Sequence, residues 1–197
     1  MSLILGIETS CDETAGAVVE DGLWVRSNVI ASQHELHERF AGVVPEVASR
    51  AHLERLGPVL QEALRIATTP IDRIDAVAIG HRPGLIGSLM IGLGGAKTIA
   101  WSLGKPLIGI NHIHAHLYAA SLKSEEQVRQ SKDSIDDGKK ANDAKCEPQN
   151  KQLPVANLSS LFTLRSSVTY PALGLVVSGG HSNLYELKSP TDLTLLG

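Results

Sequence analysis

The alternation of hydrophobic and polar residues predicts three strands at the start of the chain. One apolar run covers residues 3–8, and a second covers residues 15–20. Asp21-Gly22, a pair typical of tight turns, follows, and residues 23–31 alternate between apolar and polar positions. The pattern therefore predicts a hairpin followed directly by a third strand.

The hydrophobic period becomes helical after Pro45, a residue suited to the first turn of a helix. Six apolar residues are spaced for one buried face: Val47, Leu53, Leu56, Leu60, Leu64 and Ala67. Glu46, Arg50 and His52 lie in the first turns of this helix. We expect them to form a solvated face; the alternative, that they point into a cleft, stays open.

An almost entirely apolar segment covers residues 85–103, after a predicted buried strand at 74–79. Its length permits a membrane span. However, Lys97 interrupts the segment, and small residues such as Gly92 and Gly95 recur at helical spacing. This pattern favours a helix packed closely on a sheet.

The candidate metal ligands are two histidines that follow a short apolar strand at residues 107–110. Asn111 is a good N-cap, so a helix is predicted to begin at His112. His112 and His116 are four residues apart and share a face, which suits a transition metal such as Zn or Fe, whereas His114 points elsewhere. The alternative is that they are only capped or partly buried polar residues. No glutamate follows His112, so this is not the metalloprotease pattern H-E-x-x-H.

The predicted elements run strand, strand, strand, helix, strand, helix, strand, helix. This is the order of an α/β ribonuclease H-like lobe of the actin-like ATPase superfamily, a mixed sheet flanked by helices. We assign residues 1–121 to this lobe. Residues 122–169 are largely polar and predict a flexible insertion, because they cannot bury enough surface to offset the entropy of ordering. Residues 170–197 predict the beginning of a second lobe, with strands at 173–177 and 183–187.

Two loops carry further candidate chemistry. The loop after the first strand holds Asp12 and Glu13, whose carboxylates could bind a cation or a polar substrate, although such residues are also common in ordinary hairpin loops. The turn Ser178-Gly179-Gly180 between the last two strands would let a ligand lie close to the backbone.

Composition adds few restrictions. The chain has 197 residues and a formal net charge of −3, which is not typical of a dedicated electrostatic nucleic-acid binder. This average charge does not exclude a local basic groove. Its two cysteines, Cys11 and Cys146, form neither a disulfide framework nor a metal-binding pair. The N-terminus has no recognisable export signal, so we expect a cytoplasmic protein.

Five motifs, in this order, resemble those of the universal tRNA threonylcarbamoyladenosine transferase family, formerly called O-sialoglycoprotein endopeptidase or glycoprotease. They are residues 6–14 (GIETSCDET), 42–52 (GVVPEVASRAH), 83–89 (PGLIGSL), His112 with His116, and residues 177–181 (VSGGH). Family members are much longer, so the chain is expected to be an N-terminal fragment. Arg82, next to the third motif, departs from the family pattern.

The resemblance implies an enzyme that transfers a threonylcarbamoyl group from threonylcarbamoyl-AMP to N6 of the adenosine next to the anticodon, in tRNAs that read codons starting with A. It implies one divalent metal, Fe or Zn, on His112 and His116. The implied substrate-binding loop comprises Val176, Val177, Ser178, Gly179 and Gly180, and Asp12 and Glu13 are catalytic candidates.

The implied partners are tRNA, a smaller paralogous actin-like protein and an accessory ATPase of the same pathway, with no membrane. Two other functions stay open at this point. One is a metal-dependent peptidase, as the older family name suggests. The other is a non-catalytic scaffold lobe that binds a partner through its surface helices.

Overall fold

The structure is a computed structural model that describes residues 1–124, 168–177 and 182–197. Most of the predicted insertion and the turn at residues 178–181 lie outside the described residues. The described strands are Leu3–Glu8 (β1), Glu13–Glu20 (β2), Trp24–Ser32 (β3), Ala76–Arg82 (β4), Leu107–Asn111 (β5), Lys123–Ser124 (β6), Ala172–Val177 (β7), Ser182–Leu187 (β8) and Leu193–Leu195 (β9). The described helices are His34–Glu38 (α1), Pro45–Ile66 (α2), Ile86–Leu103 (α3) and His112–Ala119 (α4), with a 3-10 turn at Ile71–Arg73.

The larger sheet has six strands in the order β5-β4-β1-β2-β3-β6. The hairpin predicted from the sequence is confirmed, because β1 pairs antiparallel with β2, and β2 pairs antiparallel with β3. In contrast, β4 runs parallel to β1, and β5 runs parallel to β4. This mixed sheet, flanked by helices, is the α/β ribonuclease H-like arrangement that the order of elements predicts.

A second, antiparallel sheet contains β7, β8 and β9 in that order. The hairpin predicted at its start is confirmed, with Ala172 paired to Leu187 and Val177 paired to Ser182. The division into domains at residues 121 and 170 stays a prediction.

The main core lies between the larger sheet and two helices, α2 and α3. Glycines allow close contact at both helices: a Cβ at Gly16 of β2 would meet Leu60 and Val59 of α2, and one at Gly92 of α3 would meet Thr9 and Ile79. The buried cluster contains Leu5, Ile7, Val18, Leu56, Leu60, Ile74, Val77, Ile79, Ala96 and Ala100.

Helix α2 buries a slightly different face from the predicted one. Leu53 was expected in the core but is 68% exposed, whereas His52, expected on a solvated face, is fully buried. The buried stripe includes Ala48, His52, Leu56, Val59 and Ala63, at helical spacing. Leu53 follows His52 by one residue and is therefore turned roughly 100° away from that stripe.

Helix α3 is, among the described residues, the one helix long and apolar enough to cross a membrane by length and composition. In this fold one side of it packs on the sheet and on α2, through small residues such as Gly92, Gly95 and Ala96. The predicted packing on a sheet is thus confirmed. Its opposite side leaves Ile86, Met90 and Trp101 exposed by 78%, 67% and 87%.

Candidate functional site

The candidate site lies where three neighbouring parallel strands end. β1, β4 and β5 are adjacent, so their carboxyl ends meet at one edge of the sheet. Glu8 ends β1, and Asn111 ends β5. The Asn111 side chain accepts hydrogen bonds from the backbone N–H groups of Ile113, at 2.9 Å, and His114, at 3.3 Å. The predicted N-cap is therefore confirmed, and it places His112 at the first position of α4.

His112 and His116 point the same ring nitrogen at each other. Their Nε2 atoms are 3.0 Å apart, and the rings meet edge to face at an interplanar angle of 83°. Two nitrogen ligands of a tetrahedral ion, each about 2.0–2.1 Å from it, would be separated by about 3.3 Å. The pair therefore fits a transition metal with little rearrangement. No group of three or more histidine, cysteine or acidic side chains suited to a metal occurs among the described residues.

The other nitrogen of His112 faces a carboxylate. Its Nδ1 lies 3.1 Å from Glu8 Oε2 and 3.3 Å from Ser10 Oγ. The second carboxylate oxygen of Glu8 accepts a 2.5 Å hydrogen bond from the Ser10 backbone N–H. Histidines that bind metals commonly have such a carboxylate on the far ring nitrogen. The contact joins residues 104 positions apart in the sequence.

The contact between Glu8 and His112 shifts the pKa values of both side chains. Burial alone would raise the pKa of Glu8, but hydrogen bonds with His112 and Ser10 outweigh it and leave the pKa below its usual value. The hydrogen bond to Glu8 raises the pKa of His112. Burial lowers the pKa of His116, with a smaller contribution from His112. The two histidines, although one helical turn apart, are thus electrostatically different.

A pocket of about 290 Å³ opens beside the histidine pair. It is lined by His112, Ile113, His116, Leu117, Leu175, Val176 and Val177. The fold therefore brings together two groups that the sequence predicts separately: the candidate metal ligands His112 and His116 of α4, and Val176 and Val177 at the end of β7. Ser178, Gly179 and Gly180, the rest of the predicted substrate-binding loop, lie outside the described residues.

Comparison with known proteins identifies the family to which the chain belongs. The family model for TsaD, tRNA N6-adenosine threonylcarbamoyltransferase, matches residues 24–130, more than half of the chain. The chain belongs to this family. The resemblance seen in the five motifs is thereby confirmed.

The tRNA N6-adenosine threonylcarbamoyltransferase of Moorella thermoacetica is 41% identical to the chain over 194 residues, covering 98% of it and 45% of the relative. The enzyme of the same name from Rhodopirellula baltica is 42% identical to the chain over 195 residues, covering 99% of the chain and 44% of that relative. The chain thus spans about half the length of the curated relatives it matches.

Among solved structures, YeaZ from Pseudomonas aeruginosa matches with a TM-score of 0.49 at 16% identity, covering 100% of the chain and 65% of YeaZ. RuvC from T. thermophilus, solved with a Holliday junction substrate, matches with a TM-score of 0.40 at 15% identity, covering 61% of the chain and 70% of RuvC. These scores are too low to add to the assignment.

Of the two acidic residues predicted as catalytic in this threonylcarbamoyltransferase family member, Asp12 lies in the loop after β1 and Glu13 begins β2. Asp12 neighbours the Cys11 thiol, whose pKa is raised to about 11 by partial desolvation and by this carboxylate. Partial loss of hydration raises the pKa of the Glu13 carboxyl, and the negative charge of Asp12 raises it further. Within the described residues, the carboxylate that contacts the histidine pair is Glu8 instead. The catalytic assignment of Asp12 and Glu13 stays a prediction.

His52, which the sequence placed on a solvated face, instead supports this loop. Its Nε2 lies 3.0 Å from the Cys11 backbone carbonyl, and its Nδ1 lies 2.8 Å from Thr14 Oγ1. A carbonyl only accepts, so neutral His52 carries its proton on Nε2 and accepts from Thr14. Burial lowers the pKa of His52, which favours this neutral form. Helix α2 thereby holds the Cys11 carbonyl on one side of Asp12 and Glu13 and the Thr14 hydroxyl on the other.

Sequence reasoning missed both Glu8 and His52 as parts of the site. A signal for Glu8 was present, because it ends a strand whose predicted neighbours end at the same edge of the sheet. His52 gave no such signal, since a histidine in the first turns of a helix is equally compatible with exposure.

Proposed function

We propose that the full-length protein transfers the threonylcarbamoyl group of threonylcarbamoyl-AMP to N6 of the adenosine next to the anticodon, in tRNAs that read codons starting with A. Family membership supports this reaction. The observation that carries it is the pocket lined both by Val176 and Val177 and by the two histidines, whose Nε2 atoms are 3.0 Å apart. The proposed metal ligands thus lie beside the start of the proposed substrate-binding loop.

His112 and His116 would hold the metal ion, Fe or Zn. When bound, such an ion supplies Lewis acidity that polarises an acyl donor. Val176, Val177, Ser178, Gly179 and Gly180 would bind threonylcarbamoyl-AMP, the glycines allowing backbone N–H groups close to it. The apolar lining from Ile113, Leu117 and Leu175 would exclude water that competes with the amine for the acyl group.

The transfer requires a group that accepts a proton. The N6 amine forms a bond to the carbamoyl carbon, the bond from that carbon to the AMP oxygen breaks, and the amine loses one proton. We propose Asp12 and Glu13 for positioning the substrates or for accepting this proton. The raised pKa of Glu13 makes its carboxylate a better base than an ordinary surface glutamate.

The proposed partners are tRNA, a smaller paralogous actin-like protein and an accessory ATPase, in the cytoplasm. Ile86, Met90 and Trp101 of α3 are mostly exposed in the part of the chain that the structure describes, and an exposed apolar surface of this kind is typical of a contact with protein. The proposal of tRNA as a partner depends on family membership alone, because the chain as a whole is slightly acidic and its net charge does not favour nucleic acid.

A zinc peptidase is less well supported by this site. Such an enzyme needs a glutamate near the open side of the metal to activate water. Glu8 instead contacts Nδ1 of His112, on the opposite side of the ring from Nε2. Its position suits support of the histidine rather than activation of water.

The experiment uses the full-length protein with its partner proteins, unmodified tRNA and threonylcarbamoyl-AMP, and detects the modified nucleoside by mass spectrometry. We expect modification by the unaltered protein, at least a hundredfold less with His116→Ala, and normal activity with the control His114→Ala. Casein is assayed in parallel. Casein cleavage without tRNA modification would support a peptidase, and absence of both activities with intact partner binding would support a scaffold; either outcome would overturn the proposal.

A further inference from the structure

Glu8 reaches His112 across an intervening strand. In the sheet, Ile7 of β1 is paired with Ile79 of β4, and Gly80, the next residue of β4, is paired with Ile110 of β5. The Glu8 side chain must therefore pass over β4, at Gly80, to contact the residue that follows β5. The geometry at Gly80 decides whether this contact is possible.

Gly80 provides the room that the Glu8 carboxylate occupies. A Cβ added at Gly80 would collide with Glu8 Oε2 and would lie 3.1 Å from Glu8 Cδ. Gly6, a glycine of the neighbouring strand, is different, since a Cβ there would meet only the Ala17 carbonyl oxygen at an ordinary 3.8 Å. Any side chain at position 80 would thus displace the carboxylate from its place beside His112.

Both oxygens of the carboxylate have fixed roles. Oε1 accepts from the Ser10 backbone N–H, and Oε2 faces Nδ1 of His112. An ionised carboxylate only accepts hydrogen bonds, so the Nδ1 atom of neutral His112 must carry the proton. Its Nε2 atom then carries a lone pair and no proton, and in the metal-free chain it accepts a hydrogen bond from the Nε2–H group of His116, 3.0 Å away.

We propose that Glu8 is a positioning residue that holds His112 in the Nδ1–H tautomer, leaving Nε2 free to bind a metal, and that Gly80 provides the space for it. The importance of this tautomer for catalysis rests on the metal site of the proposed function. The tautomer itself is a property of the metal-free chain and requires neither tRNA nor donor.

Glu8→Gln separates positioning from packing, because glutamine has almost the same shape as glutamate. The Ser10 N–H is fixed by the backbone at 2.5 Å from Oε1, so the amide oxygen of glutamine is expected to stay there. The NH₂ group would then face Nδ1, which could only accept. The proton of neutral His112 would move to Nε2, the atom needed for the metal.

The first measurement is nitrogen-15 NMR of the histidine rings in the metal-free chain, at a pH where His112 is neutral. We expect the Nδ1–H tautomer in the unaltered protein and the Nε2–H tautomer in Glu8→Gln. Gly80→Ala should also lose the Nδ1–H tautomer, whereas the matched Gly6→Ala should keep it. An Nε2–H tautomer in the unaltered protein, or an unchanged tautomer in Glu8→Gln, would overturn the proposal.

The second measurement is a calorimetric titration of the same variants with Co²⁺. Loss of a carboxylate that orients a metal-binding histidine typically lowers affinity about 10–100-fold. We expect this loss in Glu8→Gln and Gly80→Ala but not in Gly6→Ala. Equal affinities would refute a positioning role. A correct tautomer combined with absence of tRNA modification in the full-length protein would instead refute the proposed function alone.

Discussion

The packing of α3 on α2 can be tested at two adjacent glycines. A Cβ added at Gly95 would lie 2.6 Å from Cδ2 of Leu56, a side chain held in the main core. A Cβ added at Gly94 would meet nothing within 4 Å. Gly95→Leu and Gly94→Leu therefore make the same chemical change in the same helix, but only the first forces a side chain into a packed interface.

The expected magnitudes follow from two opposing effects. Replacing a helical glycine with leucine removes a helix-propensity cost of about 0.8–1 kcal/mol at either position. Overpacking at Gly95 costs about 1–3 kcal/mol, because Leu56 is surrounded by other core side chains and cannot move aside freely. Gly94→Leu should thus raise the free energy of unfolding slightly. The two variants should differ by about 1–3 kcal/mol, with Gly95→Leu the less stable.

Thermal unfolding followed by circular dichroism measures this difference. For a chain of this size, 1 kcal/mol corresponds to a change in Tm of about 2–4 °C. Since propensity contributes equally to both variants, the difference in Tm reports the packing alone. Equal Tm values, or a more stable Gly95→Leu, would show that α3 does not pack against α2 as the structure describes.

Three further predictions concern single side chains. In a calorimetric titration with Zn²⁺, His112→Ala or His116→Ala should abolish binding, while His114→Ala should leave it unchanged; loss in the His114 variant would contradict the helix register. Stability should fall as pH drops below about 6.5, because unfolded His52 then takes up a proton that its lowered pKa prevents in the folded state. In urea unfolding at several pH values, the free energy of unfolding should depend less on pH in His52→Gln than in the unaltered protein. The same dependence in both would show that His52 is not its source. Asn111→Ala should cost about 1 kcal/mol in urea unfolding by removing the cap of α4, and no loss would mean that the cap is dispensable.

Local patterns along the chain were sufficient for most elements of the fold. The hairpin of β1 and β2, the start of α2 at Pro45 and the Asn111 cap of α4 all depend on neighbouring residues, so they could be predicted without knowing the rest of the structure. The pairing of His112 with His116 is also local, because residues four apart share a face of any helix.

Contacts between distant residues were decided by the tertiary structure. The face of α2 that is buried depends on how the helix lies on the sheet, which is why Leu53 is exposed and His52 is buried. The contact of Glu8 with His112 depends on the strand order β5-β4-β1 and on the absence of a side chain at Gly80. A sequence pattern records spacing along the chain, whereas this contact is a distance across three strands. The sequence therefore determined which residues could bind a metal, and the sheet determined which carboxylate holds one of them in place.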